Sequence, residues 1–231
     1  VVNDKVVLLA AGGLGSGISA DAILNIQTDL AKVNIGDAKL TSAGEVRLSA
    51  RGQGNIKNLV SAEAYGLGTV ITGDSRAIIR PDNQVVVGGG AEILAAGNIL
   101  VSAGTDTNFK RDSYSLEVRH DSFAGSAIPM DDVDAYGLLI QHNTIAVESG
   151  AYLGSERSIK LHTERVGIID MAVEAKAVNW VSSLQDALNG EAAEFMKEGT
   201  AITESHGIVR VGGTVETGLN RHKWLYLTDW D

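Results

Sequence analysis

The chain has no cysteine, only two prolines (Pro81 and Pro129) and few aromatic residues, which make up 5% of the total. The lack of cysteine excludes disulfides, thiolate metal sites and a cysteine nucleophile. Because aromatic residues are scarce while 44% of residues are hydrophobic, a core must be built from small and branched aliphatic side chains. Together with 27 glycines, this composition favours many short strands joined by turns over a helical bundle.

Basic residues are also few: 19 stand against 29 acidic ones, which gives a formal net charge of −10. An acidic surface repels phosphate backbones, so we expect no nucleic-acid partner. The longest apolar run, Val6–Leu14, is too short to span a bilayer, so we expect no membrane insertion. A length of 231 residues suits one domain or an elongated array.

The stretch KVVLLAAGGLGSGISAD, residues 5–21, looks at first like a strand followed by a phosphate-binding loop. The dinucleotide-binding spacing fails because Gly13 and Gly15 would require a third glycine where Ile18 stands. No lysine follows at the position used by nucleotide triphosphate loops. We therefore predict no cofactor, and we assign these glycines to turns and to close approach of neighbouring chain segments.

Comparison of the chain with itself identifies an internal repeat. At an offset of 53, residues 7–50 match residues 60–103 without gaps at 16 of 44 positions. The pattern returns at an offset of 60, and a more degenerate fourth copy occupies residues 207–218. The apolar pairs at the second offset include Val87/Val147, Ile93/Leu153, Ile99/Ile159 and Val101/Leu161. We predict a single segment, residues 1–231, of degenerate repeats at about 7–59, 60–119, 120–182 and 183–231 that belongs to a longer chain.

Apolar residues alternate within each copy, as in Val85/Val87, and a period of two indicates strands. Strands of roughly three to five residues can stack on the equivalent strand of the next repeat. We therefore predict an all-β fold, a right-handed parallel β-helix (β-solenoid), with coils of roughly 20–25 residues and two or three coils in each repeat. A β-sandwich is the rival fold, but it gives no reason for similarity at a fixed offset. The residues predicted to point inward in columns are Val46, Leu48, Ile99, Val101, Ile159 and Leu161.

Two regions interrupt the repeat and are predicted to be inserted loops, residues 109–137 and residues 182–199. In the second region, Ser182 or Ser183 can cap a short helix near residues 182–197, whose second turn would carry Phe195 and Met196. Loops inserted in a solenoid emerge from one side and often carry binding sites.

The units VNIGDAKLTSAGEVRLSARGQG and VVVGGGAEILAAGNILVSAGTD resemble the degenerate repeats of giant bacterial surface exoproteins, the filamentous-haemagglutinin-like proteins and related large adhesins. The resemblance covers most of the chain, from about Val6 to Gly218. It implies a β-helical shaft at the cell surface that serves adhesion, aggregation or coating rather than catalysis. The Asn-rich motifs of the secretion domain of that family are missing, so the resemblance concerns the shaft.

Oxygen ligands for calcium are available in PMDDVDAYG, where Asp131, Asp132 and Asp134 lie close together. The set lacks a distal bidentate glutamate and is not a calcium-binding nonapeptide repeat, so these residues are only weak candidates and we predict no metal site. Asp134 aligns with Asp74 at the offset of 60, which suggests a repeated turn aspartate.

No arrangement of residues predicts catalysis. The five histidines (His120, His142, His162, His206 and His222) lack the paired spacing of zinc ligands. Four charged residues of the first inserted region, Arg111, Glu117, Arg119 and Asp121, would serve a β-helix lyase or hydrolase only if the fold paired them. A solvated charged surface is the simpler interpretation. The aromatic residues Trp224, Tyr226 and Trp230 could stack on sugars or cover a last strand.

We therefore expect a non-enzymatic, extracellular structural or adhesive segment of a surface protein or filament. The alternatives are a polysaccharide-processing lyase or glycoside hydrolase on a β-helix, and a carbohydrate-binding module. The expected partners are further solenoid repeats or identical subunits stacked end to end, and cell-surface glycans or another cell. The start of the chain, VVNDKVVLLA, is apolar and strand-like and lacks a polar covering element, so we expect further strands to stack there.

Overall fold

The computed structural model describes residues 2–164, 168–179 and 195–218, and within these ranges the chain is all-β and contains no helix. The strands fall into four successive layers. Layer 1 contains β1 (Val2–Gly12), β2 (Gly15–Ser19), β3 (Ala22–Ile35), β4 (Lys39–Ser42) and β5 (Val46–Ala50). Layer 2 contains β6 (Gln53–Val87), β7 (Glu92–Ala95) and β8 (Ile99–Ala103). Layer 3 contains β9 (Ser113–Val147), β10 (Tyr152–Ser155) and β11 (Ile159–Thr163). Layer 4 contains β12 (Ile168–Asn179), β13 (Phe195–Glu198), β14 (Thr200–Val211) and β15 (Thr214–Thr217).

Equivalent strands of successive layers pair in parallel and form three sheets. Sheet A joins β1, β2 and β3 to β6, β6 to β9, and β9 to both β12 and β14. Sheet B has the order β4-β7-β10-β15, and sheet C the order β5-β8-β11. In sheet C, Val46 pairs with Ile99 and Ile99 pairs with Ile159. The offsets of 53 and 60 found in the sequence are therefore confirmed as the register between strands.

The length of a layer corrects the sequence-based prediction. One repeat length, the offset of 53 or 60 residues between paired strands, forms one layer, instead of two or three coils of roughly 20–25 residues. The predicted strand length was also wrong for sheet A, because β6 and β9 are each 35 residues long. Gly66 and Gly68, which repeat Gly13 and Gly15 at the offset of 53, stay within the ladder: Gly66 pairs with Ser126, and Gly68 pairs with Ile128.

The long strand of layer 2 folds back on itself. The side chains of Asn58 and Ser75 are 3.0 Å apart, although 17 residues of straight strand would separate them by roughly 55 Å. The chain therefore reverses near the midpoint, at Gly66 and Leu67, and its two halves face each other. At Gly66 a Cβ atom would lie 2.3 Å from the carbonyl oxygen of Gly13. The expectation that these glycines permit close chain approach is confirmed at this position.

Two separate apolar cores follow from this shape. The first, which we call the arm core, lies between the facing halves of the long strands and includes Ile56, Ile79 and Val118. The second, the base core, lies between the last part of each long strand and sheets B and C, and includes Val85, Ile99 and Val101. Small and branched aliphatic side chains fill both cores, as the scarcity of aromatic residues predicts. The predicted inward columns are confirmed as Val46–Ile99–Ile159 and Leu48–Val101–Leu161.

The ungapped alignment at an offset of 53 fails over part of layer 1. The register between β3 and β6 shifts by one residue between Ile26 and Asp29, so that Val33 pairs with Val85 rather than with Val86. The offset of 53 returns in sheet B, where Lys39 pairs with Glu92. A β-bulge can absorb one residue in this way without changing which residues face the core on either side of it.

The two predicted insertions are shorter or differently built than expected. Between the last strand of layer 2 and the first strand of layer 3, only residues 104–112 lie outside the strands, because residues 113–137 belong to β9 and pair with residues 53–77 of β6. Most of the predicted helix near residues 182–197 lies outside the described ranges. Its last residues were predicted wrongly, since Phe195 and Met196 belong to β13, which pairs antiparallel with β12.

Candidate functional surfaces

A charged groove of 460 Å³ runs across the outer face of β6, β9 and β12. Its lining residues are Ser61, Glu63, Arg119, Asp121, Ser122, Phe123, Glu174, Lys176 and Val178. Arg119 donates a hydrogen bond to Glu174 at 3.0 Å, and this contact is the main reason that the pKa of Arg119 is raised. Next to the groove, Lys57 lies 3.1 Å from Glu117. The ion pairs join neighbouring layers on an exposed surface, where such pairs contribute little to stability.

The charged residues singled out in the sequence are only partly brought together. Glu117, Arg119 and Asp121 alternate along β9 and face outward, so Glu117 and Asp121 are about 13 Å apart along the strand. That separation exceeds the carboxyl spacing of glycoside hydrolases. Arg111 lies apart from them and pairs with Glu164 at 3.0 Å. The fold therefore pairs Glu117 with Lys57 and Arg119 with Glu174 of adjacent strands, and it does not form a carboxyl pair from Glu117 and Asp121.

The three weak calcium candidates lie in an extended part of β9. Asp131 has an intermediate exposure and pairs with the buried Ile71, whereas Asp132 and Asp134 are exposed. Burial raises the pKa of Asp131. Within the part of the chain that the structure describes, no three His, Asp or Glu side chains are grouped to hold a metal ion. Asp134 pairs with Asp74, as the offset predicts, and Asp74 donates its backbone N–H to the Asp21 carboxylate at 2.9 Å.

A buried polar network joins the arm core to the base core. The Asp112 carboxylate accepts hydrogen bonds from the Gly52 N–H at 2.8 Å, from Asn83 at 2.7 Å and from Gln141. Asn83 also donates to Asn143, its partner one layer further on, at 2.7 Å. Desolvation raises the pKa of Asp112 to about 6, against the opposing effect of the Gly52 hydrogen bond and the nearby Arg51 charge. No sequence pattern points to this network, because its members come from four separate segments, at residues 52, 83, 112 and 141–143.

His120 lies in the arm core between Val60 and Ala175 of the adjacent layers and is fully buried. Neither ring nitrogen has a hydrogen-bond partner among the described residues. Burial lowers the pKa of His120, because the charged imidazole would lose its hydration there. This residue is therefore held neutral and takes the place of an aliphatic side chain.

The remaining histidines are on the surface or outside the described ranges. His142 and His206 are 64 residues apart in sequence, yet they pair in register between β9 and β14 and stack with ring centroids 5.3 Å apart. Sequence reasoning missed this pair because it searched for ligand spacing within one segment. An alignment of the fourth copy that continued back from Gly207 would have found it. His162 packs against Phe109 at 6.1 Å, and His222 lies outside the described residues.

Among the described residues, the neighbouring aromatic rings Tyr65 and Phe123 do not form a flat surface on which a sugar could stack. Tyr65 and Phe123 are neighbours at 5.8 Å, but their planes are inclined by 50°. The Tyr65 hydroxyl donates to Glu63 at 3.0 Å, and this bond raises its pKa. Phe109 has a positive φ of 61°. The Lys160 ammonium lies over its ring, 4.7 Å from the ring centroid. The C-terminal candidates Trp224, Tyr226 and Trp230 lie outside the described ranges.

Layer 1 has an open face. In the described ranges, β4 and β5 pair only with layer 2, and no strand covers their other edge. The core-facing Leu40, Val46 and Leu48 are therefore only partly buried, whereas Ile99 and Val101 of layer 2 are fully buried. Val46 donates its N–H to Asn98 of layer 2 at 2.9 Å. Because successive N–H groups in a strand point to opposite edges, the N–H of Arg47 points to the open edge.

Comparison with known protein families, with curated proteins and with solved structures found no match to this chain. Across the described ranges, no helix has the length and apolar character needed to cross a bilayer. The functional interpretation therefore depends on the fold and the surfaces of this chain.

Proposed function

We propose that this chain is a segment of an extracellular β-solenoid shaft, a right-handed parallel β-helix that mediates attachment to or coating of a cell surface. The observation that carries the proposal is the parallel pairing of successive repeats at offsets of 53 and 60, with both cores continuous from layer to layer. Repeats that contact only their neighbours can be extended without changing the unit. We propose a right-handed helix because connections between parallel strands of one sheet are generally right-handed.

The open face of layer 1 supports stacking on further repeats or on an identical subunit. Its strands present unpaired backbone groups next to partly buried apolar side chains, which is the arrangement that an added strand would complete. An additional layer would bury Leu40, Val46 and Leu48 as layer 3 buries Ile99 and Val101. In the described part of the chain, three ion pairs join surface side chains of neighbouring layers, Lys39–Glu92, Lys57–Glu117 and Arg119–Glu174.

The test compares assembly of the 231-residue chain with that of two variants at one position. Arg47→Pro removes the N–H that points to the open edge, whereas Arg47→Ala removes the side chain and keeps the N–H. We expect the parent chain and Arg47→Ala to form end-to-end chains at high concentration in sedimentation and electron microscopy. We expect Arg47→Pro to remain monomeric with unchanged strand content by circular dichroism. A monomeric parent chain, or equal assembly of both variants, would contradict the proposed stacking.

The charged groove favours a second candidate, a polysaccharide-processing site. Asp121 and Glu174 lie in the groove beside Arg119 and Lys176, and a carboxylate next to a cation can act in acid–base chemistry on sugars. This function predicts that the chain cleaves a polysaccharide and that Asp121→Asn abolishes cleavage without changing the melting temperature. The shaft function predicts no cleavage by the parent chain in the same assay.

A further inference from the structure

His142 and His206 form a side-by-side pair of imidazoles on the outer face of sheet A. They occupy facing positions of the parallel strands β9 and β14, and their ring planes are inclined by only 32°. Both residues are exposed, so packing in a core does not explain their proximity. Parallel strands lie about 4.8 Å apart, and this spacing holds the two rings next to each other on one rigid surface.

Acidic groups surround this pair. The Glu204 carboxylate lies 3.5 Å from Nε2 of His206. On the other side of His142, Asp82 occupies the equivalent position of β6 and has one carboxylate oxygen that is buried and has no hydrogen-bond partner among the described residues. The rings border an open depression of 510 Å³ that is also lined by Ser205, Gly207 and Ile208. A small hydrated ion can therefore reach both imidazoles in a negative environment.

We propose that His142 and His206 bind one divalent transition-metal ion, with copper(II), nickel(II) and zinc(II) as the class of ligand. Each histidine supplies one imidazole nitrogen, and water completes the coordination. Imidazole nitrogen suits these metals, whereas calcium and magnesium prefer oxygen ligands. The Glu204 carboxylate next to His206 is placed to orient its ring, as carboxylates commonly do for metal-bound histidines. The inference is independent of the proposed shaft function.

Titration calorimetry of the full chain with copper(II), nickel(II), zinc(II), calcium and magnesium salts tests the site at pH 7.5. We expect one transition-metal ion per chain, with copper(II) bound most tightly, and no calcium or magnesium binding. His142→Ala and His206→Ala should each weaken binding at least about tenfold, because either change removes one arm of the chelate.

His162→Ala is the matched control, because His162 is a surface histidine of sheet C that packs against Phe109. It should leave the affinity unchanged, and histidine ring resonances that shift on metal addition should be those of His142 and His206. Melting temperatures of the His142→Ala and His206→Ala variants should match that of the parent, since both side chains are exposed. Retention of the parent affinity in the His142→Ala/His206→Ala double variant would overturn the proposal. An equal loss of affinity in His162→Ala would do so as well.

Discussion

Asn58 and Ser75 lie 17 residues apart in one strand and bond to each other twice. The Asn58 amide nitrogen is 3.0 Å from the Ser75 hydroxyl oxygen, and that hydroxyl donates to the Asn58 carbonyl oxygen at 3.1 Å. Asn58 also donates to the carbonyl oxygens of Ala22 and Arg76. This buried contact holds the two facing halves of β6, which enclose the arm core, against each other.

Asn58→Ala should therefore destabilise the arm by about 2–3 kcal/mol, because it leaves buried carbonyl groups without their donor. Urea unfolding measures this loss, and Asn25→Ala, at an exposed asparagine of β3, should change stability by less than about 0.5 kcal/mol. In a double-mutant cycle, Asn58→Ala and Ser75→Ala should show a coupling of about 1 kcal/mol. Strictly additive effects would mean that the pair does not hold the arm together.

Ile99→Asp should cost more than about 3 kcal/mol, because Ile99 is fully buried between Val46 and Ile159 and the carboxylate would have no partner. Leu100→Asp is the control at the next position, where the side chain points outward and is partly exposed. Thermal melting compares the two variants. A melting temperature of Ile99→Asp within a degree or two of the parent would show that the column assignment is wrong.

Gly73→Ala should also destabilise the arm strongly. Gly73 has a φ of 148°, and an added Cβ would lie 2.2 Å from the backbone carbonyl oxygen of Ala20 in the layer below. Gly15→Ala, at a glycine of β2 with no atom within 4 Å of the added Cβ, should be tolerated. Equal denaturation midpoints for the two variants would contradict the close approach of β6 to layer 1.

His120 makes the free energy of unfolding depend on pH. Its folded pKa is lowered by burial, so below about pH 6.5 the unfolded chain binds a proton that the folded chain rejects, and stability falls as the pH falls. His120→Leu should remove this contribution. It should be more stable than the parent at pH 7, and its advantage should widen between pH 6.5 and pH 5. A constant difference across that range in urea unfolding would rule out a neutral buried histidine.

Asp112 gives the free energy of unfolding the opposite dependence on pH. Its folded pKa of about 6 lies above the unfolded value near 3.9, so the folded chain keeps a proton that the unfolded chain has lost. Stability from this group is greatest below about pH 4, declines by about 3 kcal/mol at most as the pH rises to 6, and is constant above. In the Asp112→Asn variant, the free energy of unfolding should no longer decline between pH 4 and pH 6. The variant should still be less stable than the parent at pH 7, because the Asp112 carboxylate accepts three hydrogen bonds. An identical pH profile for parent and variant, measured by urea unfolding, would refute the assignment.

The sequence by itself determined the all-β class, the offsets of 53 and 60 and the inward columns such as Leu48–Val101–Leu161. These features depend on local alternation and on identities between copies, both of which can be read without knowing how the chain bends. The scarcity of aromatic residues also determined that both cores consist of small and branched aliphatic side chains.

Only the tertiary structure decided how much chain one layer contains. Glycine is permissive in both turns and strands, so the sequence around Gly66 did not distinguish a strand end from a bend within a paired strand. Residues 113–137 were likewise misassigned to an insertion, because strand pairing with β6 is a long-range contact. The network of Asp112, Asn83 and Gln141 and the pairing of His142 with His206 have the same origin. Each joins segments far apart in sequence, and the register that brings them together is set by the length of the loops between strands.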